Sequence, residues 1–127
     1  MANIRIFTNN PMAEEKYPLV SVMLKTDVAG VFAAARNEIH QGAVIINHPL
    51  SGSVKPNESP YKSLVLSTDR GALDFKSLQL IESAEETLRK LPVKNRRYMP
   101  QVLEDFQVID LDLLDSAMGA LPTPYHI

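Results

Sequence analysis

The chain has 127 residues, the length of one ordinary domain. Hydrophobic residues make up 45% of it, enough for a packed core, and this sets general disorder aside. The formal net charge of −2 gives no global attraction to nucleic acid or anionic membrane, and the lack of cysteine excludes disulfides, thiolate metal sites and thiol nucleophiles.

Residues 4–8, IRIFT, alternate and are rich in β-branched and aromatic types, so they read as a first strand. Asn9, Asn10 and Pro11 end it, because asparagine tolerates turn geometry and the residue before a proline is pushed out of the helical region. Residues 12–17 follow as one turn of helix, and residues 19–24 (LVSVML) as a second strand. Asp27 is placed to cap a helix whose apolar stripe is Val28, Val31, Phe32, Ala35 and Ile39, with Gly42 at its C-terminal cap. AVII, residues 43–46, suits a third strand buried on both faces. SLVLS, residues 63–67, is a fourth.

Asp74 caps a further helix with the stripe Leu78, Ile81, Ala84, Leu88 and Leu91, closed by Pro92. FQVID, residues 106–110, reads as a fifth strand, with Asp110 capping a short helix that carries Leu111, Leu114 and Met118. The tail, residues 120–127, holds two prolines and is expected to lie extended on the surface. Strands alternating with amphipathic helices predict a single α/β domain over residues 1–127. Its architecture is a three-layer sandwich with a mostly parallel sheet of four to five strands between flanking helices. No helix is visible between the third and fourth strands, so that pair is joined by a long crossover or is antiparallel, which would make the sheet mixed.

The connection between those strands, residues 47–63 (NHPLSGSVKPNESPYKS), is longer than joining two strands requires. A mostly parallel sheet would gather Thr8-Asn9-Asn10, Asn47-His48 and Ser67-Thr68-Asp69-Arg70 at one edge, where open α/β sheets bind ligands. His48 is the candidate general acid or base, since imidazole changes charge near neutral pH. The competing reading has it bonding its own loop. Ser51 and Ser53 lack the nucleophile-elbow pattern and an acid to orient the histidine, so they read as turn residues. Lys55 and Lys62, with Gly52 and the loop amides, could hold a phosphate or carboxylate, although the spacing is not that of a P-loop. The candidate ligand-binding set is Asn9, Asn10, His48, Ser51, Gly52, Ser53, Lys55, Asn57, Tyr61 and Lys62. The three histidines are too scattered for a metal motif, no cofactor motif is present, and the short basic patch at residues 94–97 reads as a solvated helix end rather than a nucleic-acid site. MANIRIFTNN has no basic segment followed by an apolar one, and no apolar run reaches the about 20 residues a membrane span needs. A cytoplasmic protein is expected.

TNNP at the end of the first strand, followed by HPLSGSVKPNESPYKS and LDFKSLQLIESAEET, resembles the GrdX family, small proteins associated with the glycine reductase genes of amino-acid-fermenting anaerobes. The resemblance implies an accessory protein beside a selenoprotein reductase that cleaves glycine, sarcosine or betaine, with reductase subunits as partners. It supplies no catalytic residue. The cysteine-free sequence agrees that redox chemistry belongs to other subunits. The expectation is therefore an accessory protein that binds a small anionic ligand or a partner subunit through residues 47–63 and the strand-end cleft. The alternative is a small enzyme acting on a phosphorylated or carboxylated metabolite, with His48 as acid or base.

Overall fold

A computed structural model describes residues 2–51, 57–92 and 97–127. Among these, three strands and four helices alternate: β1 (Ile4–Thr8), α1 (Pro11–Lys16), β2 (Ser21–Met23), α2 (Val28–His40), β3 (Ser63–Ser67), α3 (Phe75–Lys90) and α4 (Pro100–Gly119). The sheet order is β2-β1-β3, with β2 parallel and β3 antiparallel to the central strand. The sheet is thus mixed, the arrangement that an antiparallel pairing across the long connection would give, and it has three strands instead of a mostly parallel set of four to five.

The pleat sends alternate side chains to two cores. Phe7, Leu64 and Leu66 pack with Val31, Phe32, Ile39 and Ile81 from α2 and α3. Ile4, Ile6 and Val65 pack with Ala13 of α1 and Leu114 of α4. Helices therefore cover both faces, and every residue of β3 is buried.

The helix starts and stops follow from local chemistry. The Asp27 carboxylate accepts from Gly30 N at 2.9 Å and Asp74 from Ser77 N at 3.1 Å, so both expected caps are formed. Gly42 has φ +113°, while its N–H reaches Ile39 O at 3.0 Å and the Ala43 N–H reaches Glu38 O at 3.1 Å. That is a Schellman closure, which needs a residue without Cβ at this position.

Two expected strands are not strands. Residues 43–46 touch β3 through a single antiparallel bridge, Ile45 to Leu66. Two backbone bonds flank the bridge, Ile46 N to Val65 O and Ser67 N to Val44 O, both 2.8 Å, and side chains take the groups beside them. Ser67 Oγ accepts from Val44 N at 2.8 Å, Ser77 Oγ accepts from Ile45 N at 2.9 Å, and Asn47 Oδ1 accepts from Val65 N at 2.8 Å. Residues 106–110 lie in the middle of the 20-residue helix α4, and Asp110 is buried there instead of capping a new helix. Gln107 and Asp110 occupy inward positions of α4. Polar residues on the buried stripe hide its helical period, and the local alternation Phe106-Gln107-Val108 then resembles a strand. In the tail, Leu121 and Tyr125 pack against the second core, and the chain is tied to the approach of the first strand by His126 N donating to Asn3 Oδ1 at 2.8 Å and Asn3 Nδ2 to Pro124 O at 3.1 Å.

Candidate functional site

The C-terminal end of β1 turns directly into α1, and this turn collects most of the buried polar groups. Thr8, Asn9, Asn10, Ser63 and Asp110 are all buried. Asn10 caps α1 by accepting from Met12 N at 3.0 Å, and its amide donates to Gln107 O at 2.9 Å and to Asp110 Oδ2 at 3.0 Å. Ser63 Oγ donates to the same carboxylate oxygen at 2.7 Å and shares a 2.7 Å bond with Thr8 Oγ1. Thr8 Oγ1 also accepts from Asn10 N at 2.9 Å. One strand end, one strand start and one helix are thereby fastened around a carboxylate, and the donors offset the cost of burying it.

Asn9 does the same for the long connection. Its amide donates to Thr26 O at 2.9 Å and to Pro60 O at 2.8 Å, and its Oδ1 accepts from Lys62 N at 2.9 Å. Both amide protons of Asn9 and of Asn10 are thus used within the protein. The two asparagines frame the site, and what they hold in place is the segment Pro60-Tyr61-Lys62. Tyr61 accepts at its hydroxyl from Gln107 Nε2 at 2.8 Å. Lys62 is half-buried. Burial pushes its ammonium below the ordinary lysine range, and the nearby Asp110 carboxylate pulls the other way. No ion pair within 4.0 Å joins Lys62 to an acid among the described residues. A partly desolvated cation without a contact counter-ion is the chemistry expected where an anion is to be received.

The other candidates lie around this centre. His48 is exposed, and its Nδ1 accepts from Leu50 N at 3.1 Å while its carbonyl accepts from Ser51 N at 3.1 Å. With Nδ1 as acceptor, the neutral ring carries its proton on Nε2. Ser51 is exposed. Asn57 donates to Pro92 O at 2.9 Å, and its buried Oδ1 has no hydrogen-bond partner. Asn57 borders a hollow of about 520 Å³ with Pro60, Arg97, Tyr98 and Leu103. Gly52, Ser53 and Lys55 lie outside the described residues.

One expected convergence fails. Because β3 runs antiparallel to β1, its first residue, Ser63, pairs with Thr8, while Ser67 pairs with Ile4. Thr68, Asp69 and Arg70 therefore leave the sheet at the opposite end, where Thr68 N donates to Asn3 O at 3.0 Å. In their place the sequence reading missed Ser63, Gln107 and Asp110. The available signal was an acid and an amide on the apolar stripe that runs from Leu103 to Leu114.

A family model, GrdX-like protein, matches residues 5–119. The chain belongs to the GrdX-like family. The match runs from within β1 to the end of α4, so the frame around Asp110 lies wholly inside the GrdX-like region. No curated protein and no solved structure is significantly similar to this GrdX-like chain. Among the described residues no cluster of three or more histidine, aspartate or glutamate side chains could hold a metal ion, and no helix is long and apolar enough to cross a membrane.

Proposed function

We propose that this GrdX-like chain is an accessory protein of a glycine-reductase-type system that holds a small carboxylate or phosphate at the strand-end cleft, with Lys62 as the cation. The observation that carries the reading is the state of Lys62. Its backbone is clamped by Asn9, its ammonium is partly desolvated, and Asp110 counters that burial without making a contact ion pair. An anion at the ammonium would relieve the desolvation that burial imposes. The prolines of residues 47–63 favour a pre-shaped surface, which lowers the ordering cost of binding. Lys55 would supply a second positive charge from the same connection.

The enzymatic alternative, with His48 as acid or base, has less support. The lone pair a base would use at Nδ1 already accepts from Leu50 N, and no described carboxylate bonds the ring to orient it. Thermal melts against phosphate, acetyl phosphate, glycine, sarcosine and betaine test the proposal. A ligand at about 100 times its dissociation constant stabilises the native state by about 2.7 kcal/mol, a rise of roughly 10 °C for a chain of this size. The rise is expected for at least one anion in the wild type and is expected to vanish in Lys62→Met. A rise that persists in Lys62→Met would move the site elsewhere, and a flat panel would remove the small-ligand reading.

A further inference from the structure

Helix α4 carries two apolar stripes, and the fold uses one of them. Leu114, Leu111 and Met118 face the sheet and belong to its core. On the other side, Met99, Val102, Phe106, Ile109 and Leu113 recur at alternating spacings of three and four residues. Met99 is 72% exposed, Val102 36% and Ile109 40%. Phe106 and Leu113 are half-buried, belong to neither core cluster, and the Phe106 ring meets Tyr98 edge-on at 5.2 Å. Alternation of three and four is the period with which one helix packs along another; a solvated face has no need of it.

Within α4 the charges beside this seam are of one sign, while the exposed Arg97 stands just before the helix. Asp105 and Asp112 each stand one residue before a seam position, seven residues apart, so both line the same flank, and both are exposed. Asp105 accepts from the neutral Gln101 amide at 3.2 Å, and no described lysine or arginine lies within 4.0 Å of either carboxylate. The whole of α4 contains no basic residue. By contrast Asp115, farther along the same helix, pairs with Lys16 at 2.7 Å, and Glu38 pairs with Arg70 at 2.6 Å.

We propose that the outer face of α4 docks a basic amphipathic helix of a partner protein, with apolar residues in the seam and lysine or arginine opposite Asp105 and Asp112. A second copy of this chain fits worse, because two-fold pairing of the face would set acids against acids. An anionic membrane surface is repelled by the same charges. The inference does not rest on the ligand reading above.

The probe is a synthetic helical peptide of about 21 residues, three heptads with leucine in the seam and lysine at the flanks, compared with its glutamate-flanked counterpart. Binding to the full chain is followed by fluorescence anisotropy. The lysine peptide is expected to bind, to weaken as salt rises from about 50 to about 500 mM, and to be favoured about tenfold or more over the glutamate peptide. Ile109→Ser combined with Val102→Ser is expected to weaken it about tenfold or more, since the seam supplies the apolar anchor. Asp105→Lys with Asp112→Lys is expected to reverse the peptide preference. Circular dichroism of each variant confirms the fold; both pairs are exposed. Lysine-peptide binding that ignores the serine substitutions would show charge attraction alone and overturn the proposal. So would binding of neither peptide, or a wild-type dimer at low salt that Ile109→Ser dissolves, which would assign the face to a second copy.

Discussion

At position 110 a carboxylate sits 6% exposed, on the face of α4 that carries Leu114 into the core. Its companions explain how that is tolerated: the Asn10 amide at 3.0 Å and the Ser63 hydroxyl at 2.7 Å both donate to one of its oxygens. Asp110→Ala would leave those donors buried without an acceptor, a cost of about 1–3 kcal/mol, measurable by urea denaturation. Asp110→Asn keeps the shape but sets an amide among donors, and is expected to fall between Ala and wild type. Lys62 behaves in the opposite sense. Because burial lowers its proton affinity, the charged side chain opposes folding, so Lys62→Met is expected to raise the melting temperature of the ligand-free protein. A fall would show that the ammonium is held by the fold instead of being kept for a ligand. Lys62 was readable from sequence as a candidate cation; Asp110 was not, because one acid on an apolar stripe looks like a helix start when the next four residues are Leu-Asp-Leu-Leu.

Among the elements, α1 and α4 are joined by a second polar lock away from the cleft. Lys16 Nζ lies 2.7 Å from one Asp115 oxygen and the Tyr17 hydroxyl donates to the other at 2.6 Å. Desolvation, with the Asp115 bond and charge added to it, pushes the Tyr17 hydroxyl up to about 12. Asp115 feels burial as an upward push, but the bonds from Lys16 and Tyr17 outweigh it and hold the carboxyl below its ordinary range. An acid that is lowered in the folded state gives stability above its unfolded value, lost as pH falls through the folded one; the window opens downward from about 3.8. A phenol that is raised gives stability below its unfolded value of 10.0, lost as pH rises toward 12. Ultraviolet titration should therefore show late ionisation near 12 that disappears in Tyr17→Phe and moves down in Asp115→Asn. Coincident ionisation of all tyrosines near 10 would contradict the lock.

Gly42 sets the end of α2 in the same local way. A Cβ there would stand 2.5 Å from Gly71 N and 2.7 Å from the Arg70 carbonyl carbon, at a φ of +113° that side chains avoid. Gly42→Ala is expected to cost about 1–3 kcal/mol from the backbone conformation alone, with the contact to the 70–71 backbone added to it. Equal stability in denaturant melts would mean the turn is free to rearrange. This glycine and the caps Asp27 and Asp74 were legible because capping is a local code. Residues 43–46 were not, because the Val44 and Ile45 N–H groups donate to the Ser67 and Ser77 hydroxyls and not to a strand carbonyl, and those partners lie more than 20 residues away.

For the molecule as a whole, the direction of β3 decides which residues meet. Run parallel, the strand would have sent Thr68-Asp69-Arg70 to the cleft; run antiparallel, it sends Tyr61-Lys62-Ser63 there. Alternating hydrophobicity marks a strand but carries no direction, and β3 is buried along its full length, so its pattern could not announce its neighbours. The layered α/β class was legible because it rests on α2 and α3, whose stripes are unbroken. The family membership was legible from the unusual string between His48 and Ser63, although part of that string lies outside the described residues.

The central claim is that Lys62 waits for an anion at the strand-end cleft. It is tested most directly by the Lys62 side-chain carbon signal in protein labelled with 13C-lysine, assigned with Lys62→Met and followed through pH titration with and without saturating phosphate or acetate. The account predicts that Lys62 loses its proton below the ordinary lysine range in the free protein, and that a bound anion moves the transition upward. A Lys62 titration that starts in the ordinary range, or that does not move when either anion is present at saturation, would contradict it.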